Sequence, residues 1–322
     1  MLVALNSAEG GRVEAGHAVK GPSYNCPGCK GPVTLAKGRI RRAYFGHRPG
    51  AVCSYAALET WEHQRAKEDF ATAYRARGLV CEVEAEVLSL DGDRRADVLR
   101  HAPDDAYRVA IEVQHSSLDY AALEQRTAAY LKAAVPVIWV PILIRKRLEN
   151  VQRVAGTNIY YVSHFSAPSW QLWVHDLQGG LWFYDPVARA VWRGLLDDCM
   201  LYRNPTSWFA DGDEHSAGGH WYSSERWSSL FLQGPFDLTQ LPAKRIKRSL
   251  RKRRTYDLPG GIGANFILAN DPLDQSLPVR IGATKADAAG GFHYYRVEQR
   301  LDDRWVGAPL EAAVLPDVLP LG

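Results

Sequence analysis

Long apolar runs are missing from this 322-residue chain. The most apolar stretch, residues 133–144, is about a dozen residues and carries Pro136 and Pro141, well short of the roughly 20 residues that cross a bilayer. The opening Met1-Leu-Val-Ala-Leu-Asn has no basic flank and no extended apolar core, which argues against a secretory signal. Cysteine is scarce and odd in number: five residues do not make the framework of a secreted disulfide-rich domain and fit a reducing compartment. The expectation is a soluble, cytoplasmic protein with no membrane partner. A strong excess of one charge is lacking too, since the net charge is +3, so whole-chain charge selects no partner. What is present argues against disorder as the default: 46% of residues are hydrophobic and 10 are Trp, enough for ordinary cores. The length suggests about two domains.

Texture divides the chain into residues 1–57, 58–150 and 151–322. The first stretch is rich in Gly, Pro and Cys and shows no helical periodicity. Leu58 to about Arg77 lacks Pro and Gly and reads as helix. Cys81-Glu-Val-Glu-Ala-Glu-Val alternates apolar and acidic residues, the period of a half-buried strand. Arg95-Ala-Asp-Val-Leu and the more continuously apolar Arg108-Val-Ala-Ile-Glu-Val-Gln are two further strands. Helix returns over Leu118 to Ala134, and Val135-Pro-Val-Ile-Trp-Val is a fourth strand. This order predicts an α/β core with a mixed sheet and a right-handed crossover. Beyond about Asn150, segments such as Ser169-Trp-Gln-Leu-Trp-Val and Gly180-Leu-Trp-Phe-Tyr read as a β-rich region.

Cys26-Pro-Gly-Cys29 places two thiols around a tight turn. His47 and Cys53 complete Cys-x2-Cys-x17-His-x5-Cys, a four-ligand set suited to a structural Zn²⁺. Val33 to Phe45 between the pairs reads as a hairpin bending at Gly38. A redox CxxC belongs at a helix start after a strand, which Pro27-Gly28 and Gly31-Pro32 oppose. Cys81 and Cys199 read as buried apolar residues.

Asp97 in the second core strand and Glu112 in the third can lie side by side at a sheet edge. Such hard oxygen ligands suit Mg²⁺ or Mn²⁺, which activates water and neutralises phosphate charge. Glu59 is expected to open the first helix, with His63 and Lys67 following on one face at intervals of four. From there Glu59 completes the metal site, and His63 or Lys67 touches phosphate. Gln114 points the same way as Glu112; it can orient water but cannot act as a base. Taken singly each of these is also an ordinary surface residue, and the weight rests on their order.

These elements together resemble a known group. Cys26-Pro-Gly-Cys29, Tyr44-Phe-Gly-His47, Glu59-Thr-Trp-Glu-His63 with Lys67, Arg95-Ala-Asp97-Val, Ile111-Glu-Val-Gln114-His-Ser, Arg126 with Tyr130, and Val137-Ile-Trp139-Val are similar to the competence protein CoiA-like family, from about Pro22 to Pro141. That family is placed among the PD-(D/E)xK nucleases. The resemblance implies a restriction-endonuclease-like core and an E-x-Q form of the catalytic motif, with Gln114 where many such nucleases carry Lys. It implies roles for Asp97, Glu112, Glu59, Thr60 and His63, and for Arg126 and Tyr130 on the following helix. Thr60 stands where the family usually has Ser. The implied setting is the processing of incoming DNA in transformation.

Lys244, Arg245, Lys247, Arg248, Arg251, Lys252, Arg253 and Arg254 put eight positive charges in eleven residues, a footprint for a nucleic-acid backbone unless the segment is simply solvated. Trp208, Trp221 and Trp227 could stack on bases, although Trp at strand spacing more commonly belongs to a core. His215 and His220, near Asp211, Asp213 and Glu214, read as loop residues rather than a second metal site. Three functions stay open: a metal-dependent DNA nuclease, a non-cleaving DNA-binding or recombination-assisting protein on a degraded nuclease fold, and an RNA nuclease or defence effector on the same core. The oligomeric state is not legible.

Overall fold

The computed structural model describes the chain except residues 39–41, 54, 56–58, 91, 103–106, 116, 242–243, 248–264, 269–276, 287–291 and 319–322; at 244–247, 265–268, 285–286 and 292–293 it describes backbone alone. The protein is mixed α/β and mostly sheet. Its described residues form two compact units: Met1–Ile142 with Leu238–Lys247 and 265–268, and Leu143–Asp237 with the described part of 277–318. None of the described helices is long and apolar enough to cross a membrane.

The first unit opens with five short strands, β1 (Val3–Asn6), β2 (Arg12–Glu14), β3 (Tyr24–Asn25), β4 (Pro32–Ala36) and β5 (Tyr44–His47), in the order β2-β1-β3-β4-β5. β4 and β5 form the expected hairpin, with Val33 opposite His47. Ala4, Tyr24, Cys26, Val33 and Phe45 are the buried core of this module.

The helix α1 (Trp61–Ala76) follows. Thr60 caps it: its hydroxyl accepts the His63 N–H at 3.3 Å, satisfying one of the free donors at the helix start. Glu59 therefore lies just before the helix rather than opening it. The inner face carries Ala66, Lys67, Phe70, Ala71 and Tyr74 at helical spacing, which is why Lys67 is drawn inside. Four strands form the main sheet: β6 (Cys81–Val87), β7 (Arg94–His101), β8 (Arg108–Gln114) and β9 (Val137–Pro141), in that order. β6, β7 and β8 are antiparallel neighbours, while β8 and β9 run parallel, joined through α2 (Tyr120–Lys132). A parallel pair requires such a crossover. The 3-10 turn Leu238–Gln240 returns to pack on α1, where the Tyr74 hydroxyl faces the Leu238 carbonyl at 3.5 Å.

In the second unit, β10 (Gln152–Val154), β11 (Ile159–Phe165), β12 (Leu181–Asp185), β13 (Ala190–Arg203) and β16 (His220–Phe236) form a sheet ordered β12-β13-β16-β11-β10 and closed at the far edge by the late strand Leu310–Ala312. β14 (Thr206–Ala210) and β15 (Asp213–Ala217) make an outlying hairpin. Lys244–Lys247 (β17) pairs with Asn265–Leu268 (β18) in the first unit. Val279–Ala286, Phe292–Leu301 and Arg304–Gly307 form a further three-stranded sheet in the second. One expectation is corrected here. Ser169-Trp-Gln-Leu-Trp-Val is not a strand but the start of a helix, α3 (Ser169–Gln178), ended by Gly179 at φ 76°. Its buried Trp170, Trp173, Val174 and Leu177 recur at three, four and seven residues, a helical spacing that the local apolar alternation masks.

Candidate active site and metal centre

The N-terminal cysteines converge. Cys26 donates its N–H to the Gly31 carbonyl at 2.8 Å and accepts from Lys30 at 3.0 Å, closing the loop that carries Cys29. Gly28 is required inside it, since a Cβ there would sit 2.7 Å from the Tyr55 ring. The ligand atoms of Cys26, Cys29, His47 and Cys53 all lie within 4.8 Å of one another. Cys26 Sγ is 3.8 Å from Cys53 Sγ, and Cys29 Sγ is 3.4 Å from His47 Nε2. Tetrahedral zinc with Zn–S of about 2.3 Å sets two sulfurs about 3.8 Å apart, so the group fits a metal ion of that kind. Burial pushes the Cys26 thiol up to about 11, while at Cys53 the Tyr55 N–H and the neighbouring thiols outweigh burial and lower it.

A second group lies where the start of α1 meets the sheet. Ligand atoms of Glu59, His63 and Asp97 also fall within 4.8 Å of one another. Asp97 is buried on β7 and accepts the Val113 N–H from β8 at 2.9 Å. His63 Nε2 is 2.9 Å from the same Asp97 oxygen, and its Nδ1 is 3.9 Å from Glu59 Oε1. Burial alone would raise the Asp97 carboxyl, but His63, Lys67 and the Val113 N–H hold it well below the usual carboxylate range. Burial likewise opposes charge on His63, and Asp97 outweighs it, so the imidazole is raised.

Glu112 occupies the next register position beside Asp97, since β7 and β8 pair Val98 with Ile111. Its carboxylate turns to α2, accepting from the Tyr130 hydroxyl at 2.5 Å and from the Arg126 guanidinium. Arg126 and Tyr130 are one helical turn apart and so reach it together, with Arg126 lying 5.0 Å over the Trp139 ring. Burial is the largest influence on Glu112 and Asp97 adds to it; against Arg126 and Tyr130 they push its carboxyl up to about 7. The metal-capable group thus contains Glu59, His63 and Asp97, with Glu112 beside it on separate partners. Gln114 is half-buried at the end of β8.

Lys67 is corrected. It is fully buried and cannot touch a nucleic-acid backbone; its ammonium donates to both oxygens of Glu59 at 2.8 and 2.9 Å and to Glu84 at 2.6 Å. Glu84 escaped the sequence reading, because Glu82, Glu84 and Glu86 alternate alike and only the fold singles one out. Of the basic segment, Lys244, Arg245 and Lys247 lie on β17, of whose side chains nothing is described; Arg248, Arg251, Lys252, Arg253 and Arg254 lie outside the described residues. Trp208 is half exposed and stacks on His215, while Trp221 packs on Tyr202 and Tyr295. His215 and His220 lie in strands, not loops, and belong to neither metal-capable group.

Comparison with known families places these groups. Residues 11–56 match the model described as Competence protein CoiA, N-terminal domain, and residues 59–194 match Competence protein CoiA, nuclease-like domain. The second match runs beyond the motifs that end near Pro141, taking in α3, β12 and the start of β13. No curated protein and no solved structure matches the chain. Two adjacent domain models of one family, covering between them both metal-capable groups, show that the chain belongs to the competence protein CoiA family.

Proposed function

We propose that this chain is a divalent-metal-dependent nuclease that hydrolyses phosphodiester bonds in DNA, on a restriction-endonuclease-like core with a zinc-stabilised N-terminal module, in the processing of incoming DNA. The reading rests chiefly on Glu59, His63 and Asp97 converging, with Glu112 alongside, inside the nuclease-like match. Two carboxylates and an imidazole fit Mg²⁺ or Mn²⁺, and when bound such an ion activates water and stabilises charge on the scissile phosphate.

The chain's own groups have distinct parts. Asp97 stays ionised and is fixed by the Val113 N–H. His63 shares a proton with Asp97 over 2.9 Å, and the start of α1 favours negative charge there. Glu112, poised near neutral pH, can hold or release a proton next to Asp97. Arg126, whose side chain is 33% exposed, keeps a guanidinium edge for phosphate. Gln114 orients water.

A second reading, a non-cleaving DNA-binding protein on the same fold, draws on Gln114 in place of a basic residue and on Glu112 being engaged by α2. Purified protein incubated with single- and double-stranded DNA and RNA, with Mg²⁺ or Mn²⁺, decides between them. Asp97→Ala is expected to lower cleavage about a hundredfold or more while affinity stays within a few-fold. Cleavage unaffected by that change, or absent throughout, defeats the nuclease reading.

A further inference from the structure

Glu84 sits inside β6 with φ +52°. Every other described non-glycine residue with positive φ lies in a turn, bend or loop. A left-handed conformation at such a side chain costs about 1–2 kcal/mol, and it persists where surrounding structure holds it. The ladder is unbroken on both sides, Val83 opposite Val98 and Ala85 opposite Ala96, so the distortion is confined to Glu84. Glu82 is half-buried and Glu86 exposed, whereas Glu84 is 2% exposed.

Its buried carboxylate connects two parts of the first unit. From the start of β1 and the residue before it, it accepts the N–H groups of Val3 and Leu2 at 3.2 and 3.0 Å. From α1 it accepts Lys67 at 2.6 Å, and Lys67 in turn grips both oxygens of Glu59. The Arg12 guanidinium ties the same place down through the Val83 and Glu84 carbonyls at 2.9 and 3.0 Å. Without Glu84, the charge of Lys67 would be left to Glu59 and Asp97 and oppose any cation bound there.

We infer that Glu84 is a positioning residue: anchored by β1, it shares the charge of Lys67 and so leaves the Glu59 carboxylate available to a divalent cation at Glu59, His63 and Asp97. This rests on the metal-site reading above. The test compares full-length protein with Glu84→Gln, reading Mn²⁺ binding by the electron paramagnetic resonance of free Mn²⁺, zinc content, and cleavage against Mn²⁺ concentration. One lost charge near the site should weaken Mn²⁺ binding about tenfold. Zinc content and KM for DNA should hold, and the lost kcat should return at higher Mn²⁺, which a merely damaged fold would not allow. Should Glu84→Gln fail to fold, Lys67→Met with Glu84→Gln removes both charges together and should bind Mn²⁺ nearly as wild type does. Mn²⁺ affinity within twofold of wild type in a folded Glu84→Gln overturns the inference, as does a wild type that binds no Mn²⁺. Weakened Mn²⁺ binding in a protein that cleaves nothing upholds Glu84 and sinks the nuclease.

Discussion

Glu112→Gln separates a protonated buried carboxyl from an ionised one. Glu112 is 1% exposed, and its carboxyl is pushed from the ordinary 4.5 to about 7, burial being the first cause. A group whose value is raised on folding binds more protons folded than unfolded. The stability it contributes is complete below about 4.5 and drains away as pH climbs to about 7. At roughly 1.4 kcal/mol per unit, the loss is on the order of 3 kcal/mol. The amide that replaces the carboxyl cannot titrate, so the stability of the variant lacks that decline. The amide still offers an oxygen to Tyr130 and is neutral like the protonated carboxyl, so the variant reproduces the acid form of the wild type next to Arg126. His63, also raised, loses stabilisation as pH rises, but it is common to both chains and cancels in the difference. Urea unfolding in buffer without added divalent ions, at steps from pH 4.5 to 8, should show the two chains close in stability at the acid end. The wild type should then fall behind by about 3 kcal/mol by pH 8. A difference constant across that range would mean that Arg126 and Tyr130 keep Glu112 ionised throughout, and the proton-holding role proposed for it would fall.

Cys26→Ser should lose about one zinc per chain by elemental analysis and lower the thermal midpoint, because binding at such modules is coupled to folding. If the basic segment contacts phosphate, replacing Lys244, Arg245, Lys247 and Arg248 by Gln should flatten the dependence of DNA affinity on salt by up to about four ion equivalents; an unchanged slope returns the segment to solvent.

The helices α1 and α2 and the strands β6 to β9 were legible because their periods are clean, whereas the short strands β1 to β3 were not read. Continuous apolar residues around Glu112 mark a strand covered on both faces, whereas the cap at Thr60 was not read and the helix was expected to open earlier, at Glu59. The Cys-His set was legible because four ligands at that spacing have few other uses. Ser169–Gln178 was not, because Trp170, Leu172 and Val174 alternate locally inside a segment whose buried residues obey a helical period. Nor were the partners of the acids. Sequence order places Asp97 and Glu112 together, and they are neighbours in register, yet Glu112 turns to Arg126 and Tyr130 while Asp97 turns to His63. Lys67 was read as a surface cation because i+4 spacing from His63 shows a face but not which way the face looks. That direction is set by Phe70 and Tyr74, packed toward the sheet.

The return of Leu238–Gln240 to α1 makes the first unit discontinuous along the gene. A fragment stopping at residue 150 would contain all the candidate ligands yet lack Leu238 and Leu241, which are buried in the whole chain. The part of α1 around Tyr74 would then meet water, and such a fragment is expected to be less stable and more prone to associate than its tidy sequence boundary suggests. On the ribosome the same geometry imposes an order: the Cys-His module can close early, whereas the unit that carries the acids waits until residues 143–237 have been made.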